Sequence, residues 1–364
     1  MAEHSCTGNR YSADALFQLA NTLLQQTGLV PKMAEAVAET LLEADLMGHS
    51  THGLQLLAPY LTELERDLMT KTGEPEIIAD HGAAIILDAK YLPGPYVVRL
   101  AMDTAFARIQ AHPVVTIVVR HSHHTACLAA YPERAAKRGL LMLLATNDPR
   151  AKIVAPFGGL RPVYSPDPLA VGIPTHGDPI IIDISMSSTA HGQVLKAQRE
   201  GKMLPHDWLL DNAGNPTNDP AALSADPSGS ILPLGGLDLG YKGFALGLMM
   251  EALTAALSGH GRADEPKRWT NSIFLQLINP AAFGGIDAFL REIDWLTEAC
   301  RTNPVKPGNP PVRLPGSRAL QLKAEQLAHG VALDTLIIEA LQRLSKKYGV
   351  PFPTGIAVRH LQGV

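Results

Sequence analysis

At 364 residues the chain is long enough for one large or two ordinary domains, and 46% hydrophobic with 18% charged residues sets it apart from disordered and fibrous compositions. A formal net charge of -4 with no long Lys/Arg run excludes the electrostatic footprint of a nucleic-acid binder or of an anionic-membrane binder, so small molecules are the expected partners. The opening residues lack a charged-then-apolar leader pattern and no apolar run approaches about 18 residues, which makes the cytoplasm the expected location.

In chain order, Leu16, Leu19, Leu23 and Leu24 recur at helical spacing between Ser12, a capping residue, and Gly28, a terminator. A second helix is expected from Pro31 to near Gly48, followed by Gly48-His49-Ser50-Thr51-His52-Gly53. Glu76 to Asp88 reads as two short strands around Asp80-His81-Gly82. Next come a helix from about Tyr96 to Ala111, a strand from Val114 to Arg120, a helix from Ala126 to Arg138 and a strand from Leu140 to Thr146. Leu169–Pro174, Ile180–Ile184 and Ser272–Ile278 are strand-like, Ala190–Gly201 and Tyr241–Leu257 helical, and Pro205–Pro233 rich in loops. The tail carries helices near Asp287–Arg301, Arg318–Ala328 and Leu333–Tyr348. Helices at both ends around a mixed middle predict an α+β fold whose termini pack together.

Alternating strands and helices near residue 120 would suit a doubly wound dinucleotide fold, but that fold carries G-x-G-x-x-G at its first strand-to-helix turn. Here the corresponding turn reads His121-Ser122-His123-His124-Thr125-Ala126, and the motif occurs nowhere. A nucleotide, if held, must rest on side chains and other backbone turns.

Histidine is the informative residue: His49 and His52, then His121, His123 and His124, with His191 further on. Imidazole titrates near neutrality, so such clusters serve acid-base work, phosphate contact or metal, or merely cap helix and strand ends. No H-E-x-x-H or carboxylate-rich ligand set accompanies them, so no metal is expected. The three cysteines, Cys6, Cys127 and Cys300, are far apart and odd in number; they are expected to be reduced, with none a favoured nucleophile. Without a G-x-S-x-G elbow, a Ser-His-Asp hydrolase is disfavoured. Reducing a carbonyl or imine needs a proton donor, and His52 is the candidate, with Asp183, which follows the buried run Ile180-Ile181-Ile182, as its carboxylate partner or simply a strand-end cap. Lys242, in Gly240-Tyr241-Lys242-Gly243, is expected to open a helix and so to offer a dinucleotide phosphate both a charge and free N–H groups, unless it is an ordinary surface lysine.

Taken together, these motifs resemble the malate/L-lactate dehydrogenase-like family nearly end to end. The resemblance rests on Gly48 to Gly53 through Tyr60, Ser122-His123-His124, Ala155-Pro156-Phe157-Gly158-Gly159, Asp183-Ile184-Ser185-Met186-Ser187 with Ala190-His191-Gly192, Asp211 to Pro220, Gly240 to Leu246, and Leu314-Pro315-Gly316. It implies a homodimeric NAD- or NADP-dependent enzyme with a mostly antiparallel, non-Rossmann cofactor sheet. Residues 1–75 with 315–364 would form a helical domain, and 76–314 the cofactor and substrate domain.

By the same resemblance His52 is the proton donor with Thr51 beside it and Asp183 completing a relay, while His124 is a rival donor. Ser122, His123, His124, Ser185, Met186, Ser187, Tyr241, Lys242, Pro315, Gly316 and Ser317 are the implied cofactor contacts. Departures fall on the substrate side: Leu56 stands where the family often has an arginine able to grip a carboxylate, and Ser165-Pro166-Asp167-Pro168 replaces Gly-Thr-Asn-Pro. His123-His124 with Ala126 and Leu128 is similar to an imine-reducing branch, whereas Ser185-Met186-Ser187 is similar to a diketogulonate-reducing one. The implied reaction is hydride transfer between a nicotinamide cofactor and a small 2-oxo or 2-hydroxy acid. The alternatives are reduction of a cyclic imino acid of the Δ1-piperideine-2-carboxylate type, or dinucleotide binding with lost or altered activity.

Overall fold

The computed structural model describes residues 10–356. The first nine residues, and with them Cys6, lie outside the described residues. After the short strand β1 (Arg10–Tyr11), helix α1 (Ala13–Gln26) starts where Ser12 Oγ accepts the Ala15 N–H at 3.5 Å, and the chain leaves it through Gly28 at φ 91°. Helix α2 (Pro31–Leu46) begins with proline, whose missing donor costs nothing there. Its end is capped from the far side of the sequence: Gln326 Nε2 donates to the carbonyls of Asp45 and Leu46 at 2.8 and 2.9 Å.

Helix α3 (Leu57–Glu65) was not anticipated, although Leu57, Leu61 and Leu64 carry helical spacing and all are buried. Pro59 masks the signal, yet it sits in the first turn where proline is tolerated.

Strands β2 (Glu76–Asp80) and β3 (Ala84–Asp88) form the expected hairpin, and α4 (Gly94–Arg108) carries the chain to β4 (Val114–Ser122). The helix expected over 126–138 is a correction: only α5 (Pro132–Ala136) forms, after a single 3₁₀ turn over Leu128–Ala130. Ala126 takes φ 58°, outside the helical region, and Pro132 has no N–H to continue a helix through its own position.

Strands β5 (Leu141–Asn147), β6 (Leu169–Ile173) and β7 (Ile180–Ile184) lead to α6 (His191–Arg199). The loop-rich stretch after α6 holds a small sheet of β8 (Leu209–Leu210), β9 (Pro216–Thr217) and β10 (Ser230–Ile231). Helix α7 (Gly236–Glu251) starts five residues earlier than expected and passes into a π-type turn over Ala252–Ala256. Lys242 therefore lies in the second turn rather than opening the helix, where the amides are already bonded; Gly235 and Gly236, at φ 99° and 63°, make the turn that starts it. Strand β11 (Asn271–Ile278), helices α8 (Ile286–Arg301) and α9 (Ser317–His329), strand β12 (Val331–Ala332) paired with β1, and α10 (Thr335–Tyr348) complete the chain.

The fold is mixed α and β around a seven-stranded sheet ordered β2-β3-β4-β11-β5-β6-β7. Only β3 and β4 run parallel, joined through α4; every other neighbouring pair is antiparallel, as expected. Alternation along the strands gives the sheet two buried faces. Val115, Ile117, Val119, Leu275 and Leu277 join Leu16, Val37, Leu57, Val98 and Leu341 in the main core, whereas Val118, Ala145 and Phe274 pack with Met186 and Met250 on the other side.

A bulge at the end of β4 prepares the site. Asn271 pairs with Ser122 and Ile273 with Val119, so Arg120 and His121 together oppose Ser272, and His121 takes φ 51°. The bulge bends the strand and so re-aims the Ser122-His123-His124 turn immediately beyond it.

Candidate active site

A cavity of about 530 Å³ opens where the segment after α2, the turn after β4, the ends of β5 and β7, and helix α6 converge. Among the residues expected to act, it gathers Thr51, His52, His124, Asp183 and Ser185 around one space. His52 and His124 lie ring over ring, with centroids 6.0 Å apart and planes 22° from parallel.

Each imidazole is held from behind. His52 Nδ1 meets Thr51 Oγ1 at 3.1 Å, which leaves Nε2 for the cavity. His124 Nδ1 meets Tyr60 Oη at 2.7 Å and accepts the Ala126 N–H at 3.3 Å, which in the neutral ring places the proton on Nε2. Trp269, a further cavity residue, lies against His124 with centroids 4.6 Å apart. Burial, with a smaller effect from His49, pushes His52 down to about 4; burial also drives His124 well below the ordinary histidine range. Both rings are thus neutral at pH 7.

The backbone under His52 is set by Asp45, a fully enclosed carboxyl that accepts the Leu54 N–H at 2.7 Å and is pushed up to about 7 by burial. Gly53 allows this approach: a Cβ there would fall 2.4 Å from the Asp45 carboxyl. Gly94 does the same for the second imidazole, since a Cβ at its place would lie 2.4 Å from the His124 carbonyl oxygen. Gly192, at the start of α6, rests on Thr51 with 3.3 Å left between a Cβ and the threonine Cβ.

Asp183 is in the cavity wall but its bonds go elsewhere than to His52. It accepts the Ala129 N–H at 2.9 Å and lies 3.9 Å from Cys127 Sγ. Burial raises its affinity for a proton, and the charge that opposes this most is that of His49. No hydrogen bond joins His52 to Asp183 among the described residues, so the strand-end carboxylate anchors the turn after β4. Cys127 is buried, its thiol pushed up by burial and by Asp183, which fits an inert cysteine.

The other expected residues lie outside this cavity. Ser122 Oγ donates to the His123 carbonyl at 2.9 Å, and His123 is buried behind the wall with Nε2 3.3 Å from Glu63. Met186 belongs to the core, and Ser187 Oγ donates to the Thr189 carbonyl at 2.9 Å. Tyr241 and Lys242 are exposed on α7, with Lys242 Nζ 5.9 Å from the Tyr241 ring centre. Pro315, Gly316 and Ser317 start α9 beside β7, where the Pro315 carbonyl accepts the Ile181 N–H at 3.3 Å.

Residues that sequence reading missed also line the cavity: Asn147, Asp148, Trp269 and Asn271, beside Ser165 of the Ser165-Pro166-Asp167-Pro168 segment. Arg262 ties part of this lining together: it donates to Glu251 at 2.5 Å, to Ser165 Oγ at 3.2 Å and to the Ala151 carbonyl at 2.5 Å, and Glu251 in turn accepts from Asn147 Nδ2 at 3.0 Å. Asn147 Oδ1 and Asn271 Oδ1 are buried without a hydrogen-bond partner. The amide side chains of Asn147 and Asn271 with apolar Leu128, Ile153 and Pro168 in the same lining suit a flat, amide-bearing ring. Among the described residues no cluster of three or more His, Cys, Asp or Glu could hold a metal ion, and no helix is long and apolar enough to cross a membrane.

Comparison with known proteins gives a consistent result. A family model described as malate/L-lactate dehydrogenase matches residues 11–342. The chain is 31% identical over 344 residues to an L-lactate dehydrogenase of Cupriavidus necator, spanning 93% of this chain and 97% of that one. It is 32% identical over 334 residues to a (2R)-3-sulfolactate dehydrogenase (NADP(+)) of Chromohalobacter salexigens, spanning 89% and 94%. Among solved structures, malate dehydrogenase from Entamoeba histolytica superposes with a TM-score of 0.90 at 25% identity, covering 96% of this chain and 100% of that one.

Proposed function

The chain belongs to the malate/L-lactate dehydrogenase family and is an NAD(P)-dependent oxidoreductase; from that premise we propose that its cavity transfers hydride reversibly between NAD or NADP and a small 2-hydroxy or 2-oxo acid. The observation that carries this reading is the stacked pair His52 and His124, both neutral and each anchored at Nδ1, lining one cavity with Asn147 and Asn271.

A bound nicotinamide would supply the hydride acceptor or donor, and Asn147 and Asn271, which line the cavity, would hold its carboxamide. In the oxidative direction neutral His52 takes the hydroxyl proton of the substrate at Nε2; in the reductive direction the same nitrogen returns it. Thr51 fixes the ring while this happens. His124, whose surroundings resist protonation, donates a hydrogen bond through Nε2–H to the substrate oxygen and polarises it without changing charge.

We read Ser185 as a direct cofactor contact. Ser122, His123, Met186 and Ser187 support that wall from behind, and Tyr241, Lys242 and Pro315 to Ser317 meet parts of the dinucleotide beyond the cavity. The sheet, which lacks a Gly-rich phosphate turn, is in this reading a non-Rossmann cofactor scaffold. Helix α7 exposes Leu237, Leu239, Leu246, Leu248 and Met249, an apolar surface suited to a second copy of the chain, so the working unit is a homodimer. Sedimentation should give twice the monomer mass, and a monomer at micromolar concentration would reject the homodimer.

The functional test is binding of NADH and NADPH by nicotinamide fluorescence, then turnover against a panel of 2-oxo acids and cyclic imino acids. Turnover of an oxo acid that His52→Ala lowers about 100- to 10,000-fold, with cofactor affinity unchanged, supports the assignment. Retained turnover in His52→Ala with loss in His124→Ala moves the proton to His124, turnover of imino acids alone rejects the oxo-acid reading, and absence of binding to either cofactor rejects the function.

A further inference from the structure

On the reading of the cavity as a cofactor site, we infer that Asp167 is a positioning residue: as a neutral carboxylic acid it leaves Glu251 as the charged partner of Arg262 and so keeps Asn147 and Ser165 set for the dinucleotide. Behind the cavity lining, Asp167 and Glu251 bring two carboxyl groups to the guanidinium of Arg262. Asp167 is completely buried, and the side chains of Glu251 and Arg262 are each 18% exposed. One cation cannot serve two desolvated anions equally.

Donor geometry decides which carboxyl keeps its charge. A guanidinium has five N–H groups, and those of Arg262 are all committed. Nε donates to Glu251 at 2.9 Å, Nη1 to the carbonyls of Pro149 and Ala151 at 3.2 and 2.5 Å, and Nη2 to Glu251 and Ser165 Oγ at 2.5 and 3.2 Å. No N–H remains for Asp167, whose Oδ1 lies 3.8 Å from Nη2. Glu251 receives two of these donors on Oε1 and Asn147 Nδ2 on Oε2 at 3.0 Å. Asp167 receives the Ser165 hydroxyl on Oδ1, and its Oδ2 is buried with no hydrogen-bond partner among the described residues.

A proton on Glu251 would weaken three charge-assisted hydrogen bonds, whereas a proton on Asp167 removes a buried charge that nothing compensates. Burial, and after it the charge of Glu251, push Asp167 well above the ordinary carboxylate range, in agreement with the donor count. Nearby groups do not alter the balance. Asp148 has its own donors in the Arg150 and Ala151 amides, and burial pushes the Tyr164 phenol up, so it adds no charge. The effect reaches the cavity through two residues that line it. Ser165 Oγ accepts the Asp148 N–H at 3.0 Å and an Arg262 N–H at 3.2 Å, and Asp167 takes its proton, which fixes the hydroxyl. The Asn147 amide is fixed by Glu251 as long as Arg262 holds that carboxylate in place. A negative charge on Asp167 would repel Glu251 in a desolvated space and loosen both.

The experiment compares the full-length wild type with Asp167→Asn and Asp167→Ala. Infrared spectra at pH 8 should show the carbonyl band of a protonated carboxyl in the wild type that is missing from Asp167→Asn; Asp45, pushed up to about 7, is mostly ionised there and adds little background. Identical spectra in that region would overturn the inference. NADH and NADPH affinity, read by nicotinamide fluorescence, should stay within about twofold in Asp167→Asn, because an amide keeps the shape and the neutrality of the acid. It should weaken about tenfold in Asp167→Ala, which leaves the Ser165 hydroxyl without its acceptor. Should Asp167→Ala not fold, Asp167→Ser takes its place in the comparison. An Asp167→Asn variant that fails to fold, or that loses as much affinity as Asp167→Ala, would mean that an ionised carboxylate is needed and would overturn the inference. Unchanged affinity in Asp167→Ala would remove the positioning role. Failure of the wild type to bind either dinucleotide would overturn the function proposed above and with it the cofactor role of Asp167, whereas binding by the wild type with identical spectra overturns the inference alone.

Discussion

Replacing His52 with glutamine tests the electrostatic state of the site through folding stability rather than through turnover. A histidine in the unfolded chain titrates near 6.5, and in the folded protein His52 is pushed down to about 4, chiefly by burial. Between these values the unfolded chain binds a proton that the folded one refuses, so stability falls as the pH drops from about 6.5 and the loss is complete below about 4. The separation of about 2.5 units corresponds to roughly 3 kcal/mol in full, of which about 2 kcal/mol has been lost by pH 5. Glutamine does not titrate and keeps a polar group for Thr51, so the variant lacks this slope. Urea unfolding of both proteins at pH 7.5 and pH 5.0 should show the stability gap moving by about 2 kcal/mol in favour of His52→Gln at the lower pH. The comparison cancels the contributions of His123 and His191, which titrate in both proteins; His124 keeps its larger cause, burial, and loses only the smaller influence of His52. Raising the salt should leave most of the effect, because burial, the larger cause, is not screened, whereas the smaller influence of His49 is. Identical pH dependence in the two proteins would refute a neutral, desolvated His52, and with it the proton-acceptor role assigned to the resting ring.

Asp45→Asn runs with the opposite sign. The Asp45 proton is retained in the folded protein up to about pH 7 and lost from the unfolded chain near 3.8, so wild-type stability falls as pH rises through that window; the variant should gain roughly 3 kcal/mol relative to wild type between pH 5 and pH 8, read by the same urea titrations. Gly53→Ala forces a methyl to 2.4 Å from the Asp45 carboxyl and should cost about 1–3 kcal/mol and most of the activity, whereas a soluble, fully active variant would mean that the segment after α2 yields easily. Arg262→Gln leaves Asp167 and Glu251 facing each other without their shared cation, so it should destabilise by up to about 3–5 kcal/mol and raise KM as the Asn147–Ser165 wall loosens; an unchanged melting temperature would show that Arg262 is dispensable.

Much of the secondary structure was legible because its signals are local. Ser12 and Gly28 bound α1, Pro31 and Gly48 bound α2, and the β-branched runs at Val114, Ile180 and Ser272 are strands, each set by preferences within a turn or two of chain. Errors fell where a local signal was overruled or hidden: Pro132 and the left-handed Ala126 broke the helix expected after residue 126, and a glycine-rich run concealed the start of α7.

In the site, the motif around His52 and the turn around His124 could be read as chemistry-bearing, since clustered imidazoles beside hydroxyl residues narrow the choices. That the two rings stack, that Tyr60 and not a carboxylate holds His124, and that Asp183 binds the Ala129 amide instead of His52 could not be read, because these are contacts between residues tens of positions apart. Asn147, Asn271 and Arg262 carry no motif; the first two matter because they line one cavity, and Arg262 because it bonds Glu251 and Ser165 beside them. The sequence by itself determined the elements, the core-facing pattern and the family. The tertiary structure decided which polar groups meet and which charges lose their water, because desolvation and pairing depend on neighbours that sheet register and loop path bring together.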